Sequence, residues 1–323
     1  MPSRRSFLAT GTLAAATWAL PRLGAADAPR TRLALISDVH QDVMHDAPDR
    51  LKVFLDQAKA WKADGIMEMG DFCVPKPANR AFADLFATFP GPKFHVLGNH
   101  DMDGGFKREQ VVAFHGMPSR YYAFDLGAIR GIVLDANDKP PGHKGGYASH
   151  IADDQLAWLE AELAKTNKPV FLFSHQSLER PDCIKSQEKA RAIIAAAKNP
   201  DGSHKVAACL NGHWHLDHAR EIDGIPYIHV NSSSYYWLGD KYKRERYPKD
   251  VHAAHPWLAC TAPYRDPVFT LLEIDPAAGT FSLAARTSAW VGPSPQDLGY
   301  TSTAVELPWI APRQSARAGK WKA

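Results

Sequence analysis

The sequence predicts an α/β fold, and three observations carry that prediction. From about Arg30 onward, short apolar runs alternate with stretches whose apolar residues recur at helical spacing. The first three runs are joined by single helical crossovers, which sets their strands parallel. Five short polar motifs each directly follow an apolar run, where an α/β sheet presents the carboxyl ends of its strands.

Residues 33–37 read as a buried strand, and Leu51, Phe54, Leu55 and Ala58 then mark a helix with one apolar face. Residues 66–69 are a second strand, and Phe82, Leu85, Phe86 and Phe89 a second helix, stopped by Pro90-Gly91. A third strand follows at 94–97, and 121–126 with 129–135 reads as a hairpin turning at Gly127. Residues 155–165 are helical, with Leu156, Leu159 and Leu163 on one side. Two more buried strands, 170–173 and 206–210, flank a helical stretch around 191–198. Runs at 225–230, 268–274 and 281–285 complete the β content. No internal repeat or long linker interrupts the chain, so residues 30–307 are expected to form one domain. Residues 308–323, rich in small, polar and basic types, read as a loose C-terminal tail.

A chain of 323 residues, 45% hydrophobic and 23% charged, is ample for a sizeable core. Its net charge of +3 with neutral histidines makes no electrostatic case for binding a nucleic-acid polymer. The N-terminus has a different character. Arg4-Arg5 precedes an apolar run from Phe7 to Leu20 and small residues at Gly24-Ala25-Ala26. Residues 1–26 therefore read as a signal peptide resembling the twin-arginine type. The implied partner is the twin-arginine export machinery, and the implied location periplasmic or secreted. The run is short for a membrane span and no cysteine sits at its exit, so no stable membrane anchor is expected. Cys73, Cys183, Cys209 and Cys260 form no C-x-x-C pair; buried free thiols are expected, and an oxidising destination would permit one bridge.

The five polar motifs are Asp38-Val39-His40, Gly70-Asp71, Gly98-Asn99-His100-Asp101, Ser174-His175 and Gly212-His213-Trp214-His215. Strand ends far apart in sequence can converge on one site, and the glycines let the backbone turn sharply beside it. Imidazole, carboxylate and amide oxygen are borderline-to-hard donors that suit Zn, Mn or Fe. Two ions need a shared ligand, and a carboxylate can supply it. With few carboxylates against two divalent ions the cluster keeps positive charge, which attracts a phosphate oxyanion.

In this order the motifs resemble the signature of the calcineurin-like metallophosphoesterases, D-x-H, G-D, G-N-H-[DE], a lone His and G-H-x-H. The resemblance implies a sandwich of two mixed β-sheets flanked by helices, and two divalent metal ions. Asp38, His40 and His215 would hold the first ion; Asn99, His175 and His213 would hold the second, with Asp71 bridging. His100 would donate to the phosphate or the leaving oxygen, with Asp101 orienting it. It also implies in-line attack on phosphorus by a metal-bound hydroxide. Phe72-Cys73-Val74 follows Asp71 without the tyrosine of purple acid phosphatases, which does not support a charge-transfer Fe(III) site. Cys73 is expected to pack rather than ligate, and His45, His95, His115, His218 and His229 to be structural.

Gly145-Gly146-Tyr147 with Gln155-Leu156-Ala157-Trp158-Leu159 is similar to members acting on nucleotide-linked phosphodiesters or pyrophosphates. Tyr235-Tyr236-Trp237 is either ordinary packing or a surface for stacking a nucleobase. The expected enzyme is a phosphodiesterase for small, nucleotide-like phosphoesters, with a phosphomonoesterase as the alternative. A non-catalytic metal-containing binding protein is the third reading. The full ligand set, together with His100 and Asp101, argues against it.

Overall fold

The computed structural model describes residues 29–181 and 183–321, and the expected signal peptide at 1–26 lies outside them. Two six-stranded mixed sheets pack face to face. The first contains β1 (Thr31–Ile36), β2 (Gly65–Glu68), β3 (Lys93–His95), β12 (Thr270–Asp275), β13 (Thr280–Leu283) and β16 (Arg317–Lys320). The second contains β4 (Tyr122–Leu126), β5 (Ile129–Leu134), β6 (Val170–Ser174), β7 (Val206–Asn211), β8 (Ala219–Ile222) and β9 (Ile225–His229). Two short pairs lie outside them: β10 (Tyr235–Trp237) with β11 (Thr261–Pro263), and β14 (Arg286–Thr287) with β15 (Arg313–Gln314).

Period-two alternation along the strands builds the layers. Leu33 and Leu35 of β1 meet Phe171 and Phe173 of β6 in the core between the sheets. Ala34 and Ile36 point the other way, onto α1 (Ala47–Ala60) and α2 (Arg80–Ala87), where Leu51, Phe54, Phe82 and Phe86 bury their apolar stripe. After α3 (Arg108–His115), the second sheet is covered in the same manner. Its Ile132, Leu134 and Leu172 pack on Leu156, Leu159 and Leu163 of α4 (Asp153–Ala164) and Ile194 of α5 (Gln187–Ala196). Each such side chain contributes about 1.5–3 kcal/mol by leaving water. A short sixth helix, α6 (Lys249–Ala254), precedes β11.

β1, β2 and β3 are parallel, as are β5, β6, β7 and β9; antiparallel β12 and β4 make both sheets mixed. The carboxyl ends of β1–β3 and of β6 and β7 therefore lie at one end of the sandwich, and the site draws on both sheets.

The C-terminus corrects the expected loose tail at 308–323. β16 pairs with β13 from Thr280–Lys320 to Leu283–Arg317, and Trp321 enters the core between the sheets beside Phe171. Gly319 gives the Phe281 ring the space that a Cβ there would fill. Asp217 anchors the segment through Arg313 at 2.7 Å and Arg317 at 2.9 Å. The polar composition belongs to an edge strand with one buried aromatic anchor. Among the described residues, no helix is long and apolar enough to cross a membrane.

Candidate metal centre

The loops leaving the strands are locally strained. Asp38, His40, Asp71, His213 and His215 adopt φ between 52 and 70°, the left-handed region. Each such non-glycine residue costs on the order of 1 kcal/mol and persists only where neighbours hold it. Backbone bonds from Asp38 N–H to Gly70 O (3.1 Å) and from His40 N–H to Asp71 O (2.9 Å) tie the first loop to the second. From the other side the Ser232 and Ser234 hydroxyls donate to the carbonyls of Asp38 (3.0 Å) and Val39 (2.8 Å). That serine loop is itself held by the fully buried Arg50, which donates to the carbonyls of Ser233 (3.1 Å) and Tyr264 (2.7 Å).

Two glycines are dictated by close approach. Gly70 has φ 96°, and a Cβ there would lie 2.5 Å from His175 Nδ1. A Cβ on Gly98 would run into the backbone and carboxylate of Asp71.

The structure brings all seven expected ligands to this end of the sandwich, six of them in two triads. Ligand atoms of Asp38, His40 and His215 lie within 4.8 Å of one another, and so do those of Asp71, His175 and His213. His215 Nε2 is 3.1 Å from Asp38 Oδ1 and 3.3 Å from His40 Nε2. His175 Nε2 is 3.1 Å from Asp71 Oδ2 and 3.3 Å from His213 Nδ1. Backbone carbonyls select the inward nitrogen: His175 Nδ1 donates to Met69 O (2.9 Å) and His215 Nδ1 to Tyr235 O (2.6 Å). Ser37 Oγ donates to Asp38 Oδ2, and the N–H of His213 also reaches that carboxylate.

These donors fit a pair of divalent cations. Asn99 Oδ1 is buried with no hydrogen-bond partner, an arrangement that costs about 1–3 kcal/mol unless a ligand meets it. The charges point the same way. Burial opposes the ionised Asp38, but His215 and His175 outweigh it and hold its carboxyl down to about 2. Burial also opposes a charged His175, yet Asp71 and Asp38 raise it to about 10. His213, buried beside His175, is pushed down to about 3, and burial brings His40 to about 3 as well. The carboxylates thus demand positive charge where four imidazoles crowd together. A metal ion meets that demand and leaves the imidazoles neutral.

His100 and Asp101 part company. The hydrogen bonds of the Asp101 carboxyl run to backbone, not to the His100 ring: it accepts the N–H groups of Phe72 (2.7 Å), Gly98 (2.8 Å), Cys73 (3.1 Å) and Asp71 (3.2 Å). Its place behind the loops, stapling the Asp71 turn to the Gly98 turn, corrects the expectation that it orients His100. The carboxylate on His100 is Asp103, with Oδ2 2.7 Å from Nδ1. Burial works against a charged His100, but Asp71 and Asp103 prevail and raise it to about 9. The spacing of three residues was the available signal for Asp103, and the adjacent Asp101 masked it.

Above the triads lies a pocket of about 660 Å³. His40, Asp71, His100, His213 and His215 form its polar floor, and Tyr147, Trp237, Trp257 and Tyr300 are among its aromatic walls. Tyr235 stacks on His40 at 5.0 Å and is buried, and Tyr236 packs against Tyr300. Of the tyrosine–tyrosine–tryptophan run only Trp237 is exposed, at 43%. Its neighbour is Trp257, 56% exposed with ring centroids 6.3 Å away, which the sequence reading missed because it lies twenty residues downstream. His95 pairs with buried Glu68, His229 pairs with buried Glu179, and all four cysteines are free and buried.

The calcineurin-like phosphoesterase family matches residues 31–217, which contain every one of the expected ligands. A dimetal phosphatase from Danio rerio is similar in structure, with a TM-score of 0.56 at 14% identity, over 81% of this chain and 98% of that one. GAP50, the anchor in the inner membrane complex of Plasmodium, has a TM-score of 0.56 at 13% identity, over 91% of this chain and 90% of its own. At those identities the likeness is one of fold. No curated protein matches the chain.

Proposed function

The chain belongs to the calcineurin-like phosphoesterase family, and we propose that this metal-dependent phosphoesterase is a phosphodiesterase for small, nucleotide-like substrates. The observation that carries the reading is the pairing of two ligand triads with exposed tryptophans in one pocket. Asp38, His40 and His215 would hold one ion, and Asn99, His175 and His213 the other, with Asp71 shared between them. Mn, Fe and Zn all suit these donors. When bound, two divalent ions supply positive charge to phosphate oxygens and lower the pKa of coordinated water.

The protein's own residues do the rest. The backbone N–H of His100 donates to Asp71 Oδ1 at 2.8 Å and orients the carboxylate, whose Oδ2 lies 3.7 Å from His40 Nε2 and 3.1 Å from His175 Nε2. With its Nδ1 held by Asp103, His100 has Nε2 left for the oxygen of the departing group. Trp237 and Trp257 line the same pocket as the triads, their ring centroids 6.3 Å apart, and offer flat faces suited to stacking a nucleobase. The aromatic walls favour a diester carrying a base over a bare monoester.

The test is a side-by-side assay of nitrophenyl phosphate, bis-nitrophenyl phosphate and a nucleoside nitrophenyl diester, with Mn, Fe or Zn restored to stripped protein. The nucleoside diester should have the highest kcat/KM. Turnover of the monoester alone would contradict the diester reading. Export of the folded, metal-loaded protein through its paired arginines belongs to the same proposal. Replacing Arg4 and Arg5 by lysine should retain the chain in the cytoplasm, and unchanged export would remove that part.

A further inference from the structure

A second cavity opens on the side of the sandwich and shares no lining residue with the metal pocket. It lies where the edge strands of the two sheets, β3 and β4, meet α2 and the end of α3. Its volume of about 470 Å³ falls within the range of about 300–1,000 Å³ usual for small-molecule sites. Phe86, Phe94, Met117 and Phe124 give it apolar walls, and His95 and His115 stack at 4.9 Å on its lining. Burial, reinforced by Lys93, brings His95 to about 3, and burial beside His95 does the same for His115, so both rings are neutral. The positive charge is carried by Arg80 and Lys93. Arg80 lies over the Phe114 ring at 3.8 Å, and Lys93 donates to the carbonyls of Phe89 (2.9 Å) and Gly91 (3.0 Å), which leaves its third proton. Against these two cations the described lining has one carboxylate, Asp84, 3.9 Å from Arg80. An added peptide strand does not suit the cavity, because the Tyr122 hydroxyl already bonds the N–H (3.0 Å) and the carbonyl (2.9 Å) of His95 on β3.

The two imidazoles also reach toward the metal centre. His95 Nδ1 is 2.9 Å from Glu68 Oε1, and Glu68 Oε2 accepts the N–H of Gly70 at 2.8 Å. The rings of His115 and His95 meet Phe72 edge-on, at 5.7 and 6.3 Å. Gly70 and Phe72 bracket Asp71 in the chain.

We propose that this cavity is a second ligand site, which takes a small aromatic carboxylate and couples its occupancy to the metal centre through His95 and His115. The flat body of the ligand would lie among Phe86, Phe94 and Phe124, and its carboxylate would meet Lys93 and Arg80. A ligand there holds the two imidazoles against the turn that carries Asp71, and pre-ordering that turn tightens metal binding. By linkage, bound metal tightens the carboxylate site by the same factor. The site itself stands apart from the phosphoesterase reading, whereas the coupling rests on the metal assignment of that reading.

The test is a calorimetric titration with naphthoate, and with naphthylmethanol as its neutral counterpart, on metal-free and Mn-loaded protein. Wild type should bind naphthoate saturably and about tenfold more tightly than the alcohol. The Arg80→Met/Lys93→Met double variant should lose that preference and keep its affinity for the alcohol. Ala113 is an exposed position on the cavity lining, so Ala113→Trp should weaken both ligands while the fold is kept. With naphthoate saturating, Mn should bind about fivefold more tightly, and naphthoate should gain the same factor on Mn-loaded protein. Ala113→Trp should abolish that gain, which separates the cavity from naphthoate held on the ions themselves. Absence of saturable binding, or binding that neither variant changes, would overturn the site. Equal Mn affinity with and without naphthoate would overturn the coupling. If metal-free protein binds naphthoate as expected but takes up no Mn, the metal assignment fails while the site stands.

Discussion

Asp71 Oδ2 stands 3.1 Å from His175 Nε2 in one triad and 3.7 Å from His40 Nε2 in the other. Its other oxygen, Oδ1, accepts the backbone N–H of His100 at 2.8 Å, which holds the carboxylate in this orientation. One carboxylate therefore faces both halves of the site, as a shared ligand of the proposed pair of ions would. Asp71→Ala should leave at most one ion per chain and lower turnover more than about 100-fold, beyond the loss typical of outer-shell partners. Metal analysis beside kinetics on the folded variant checks this.

Metal should also stabilise the fold, because the strained loops and the orphaned Asn99 oxygen gain a common partner. An ion present at a hundred times its Kd contributes about 2.7 kcal/mol, worth roughly 4 °C in Tm at about 2.1 cal/mol/K of unfolding entropy per residue. Thermal melts before and after chelation should differ by at least that much, and returning Mn or Zn should restore the higher value.

The sandwich is legible in the sequence where burial has a simple period. Leu33 and Leu35 facing one way and Ala34 and Ile36 the other make β1 readable, and the stripe through Leu51, Phe54 and Leu55 makes α1 readable. The C-terminal strand is not, because Trp321 alone carries its burial and Asp217, about a hundred residues away, supplies its ion pairs. Within the site, the ligand types and their order stand in the motifs, whereas Arg50, Ser232 and Trp257 act through contacts that chain distance conceals. The exchange of roles between Asp101 and Asp103 is of the same kind. Only the turn geometry decides which carboxylate faces the imidazole.

Arg50 offers a measure of how far the site depends on that hidden support. Arg50→Met removes its ion pair to Asp46 at 2.7 Å and its donation to the carbonyls of Tyr264 and Ser233, the latter keeping only the Val268 N–H at 3.2 Å. The variant should lose about 3 kcal/mol, seen as a lower urea midpoint, and bind metal more weakly as the serine loop behind Asp38 relaxes.

The aromatic wall yields a prediction about substrate rather than stability. Trp237→Ala and Trp257→Ala remove exposed rings, so the fold should be little affected. Each should lower kcat/KM for a nucleoside diester by the equivalent of about 1–3 kcal/mol, five- to more than a hundredfold. Methyl nitrophenyl phosphate, which has no base to stack, should show a much smaller loss.

The most direct test of the two-triad centre is a titration of metal-free protein with Mn or Zn, following phosphodiester hydrolysis against bound equivalents. The arrangement around Asp71 predicts that hydrolysis is absent without metal and reaches its plateau at two ions per chain. Undiminished hydrolysis by rigorously metal-free protein, or a plateau at one equivalent, would contradict it.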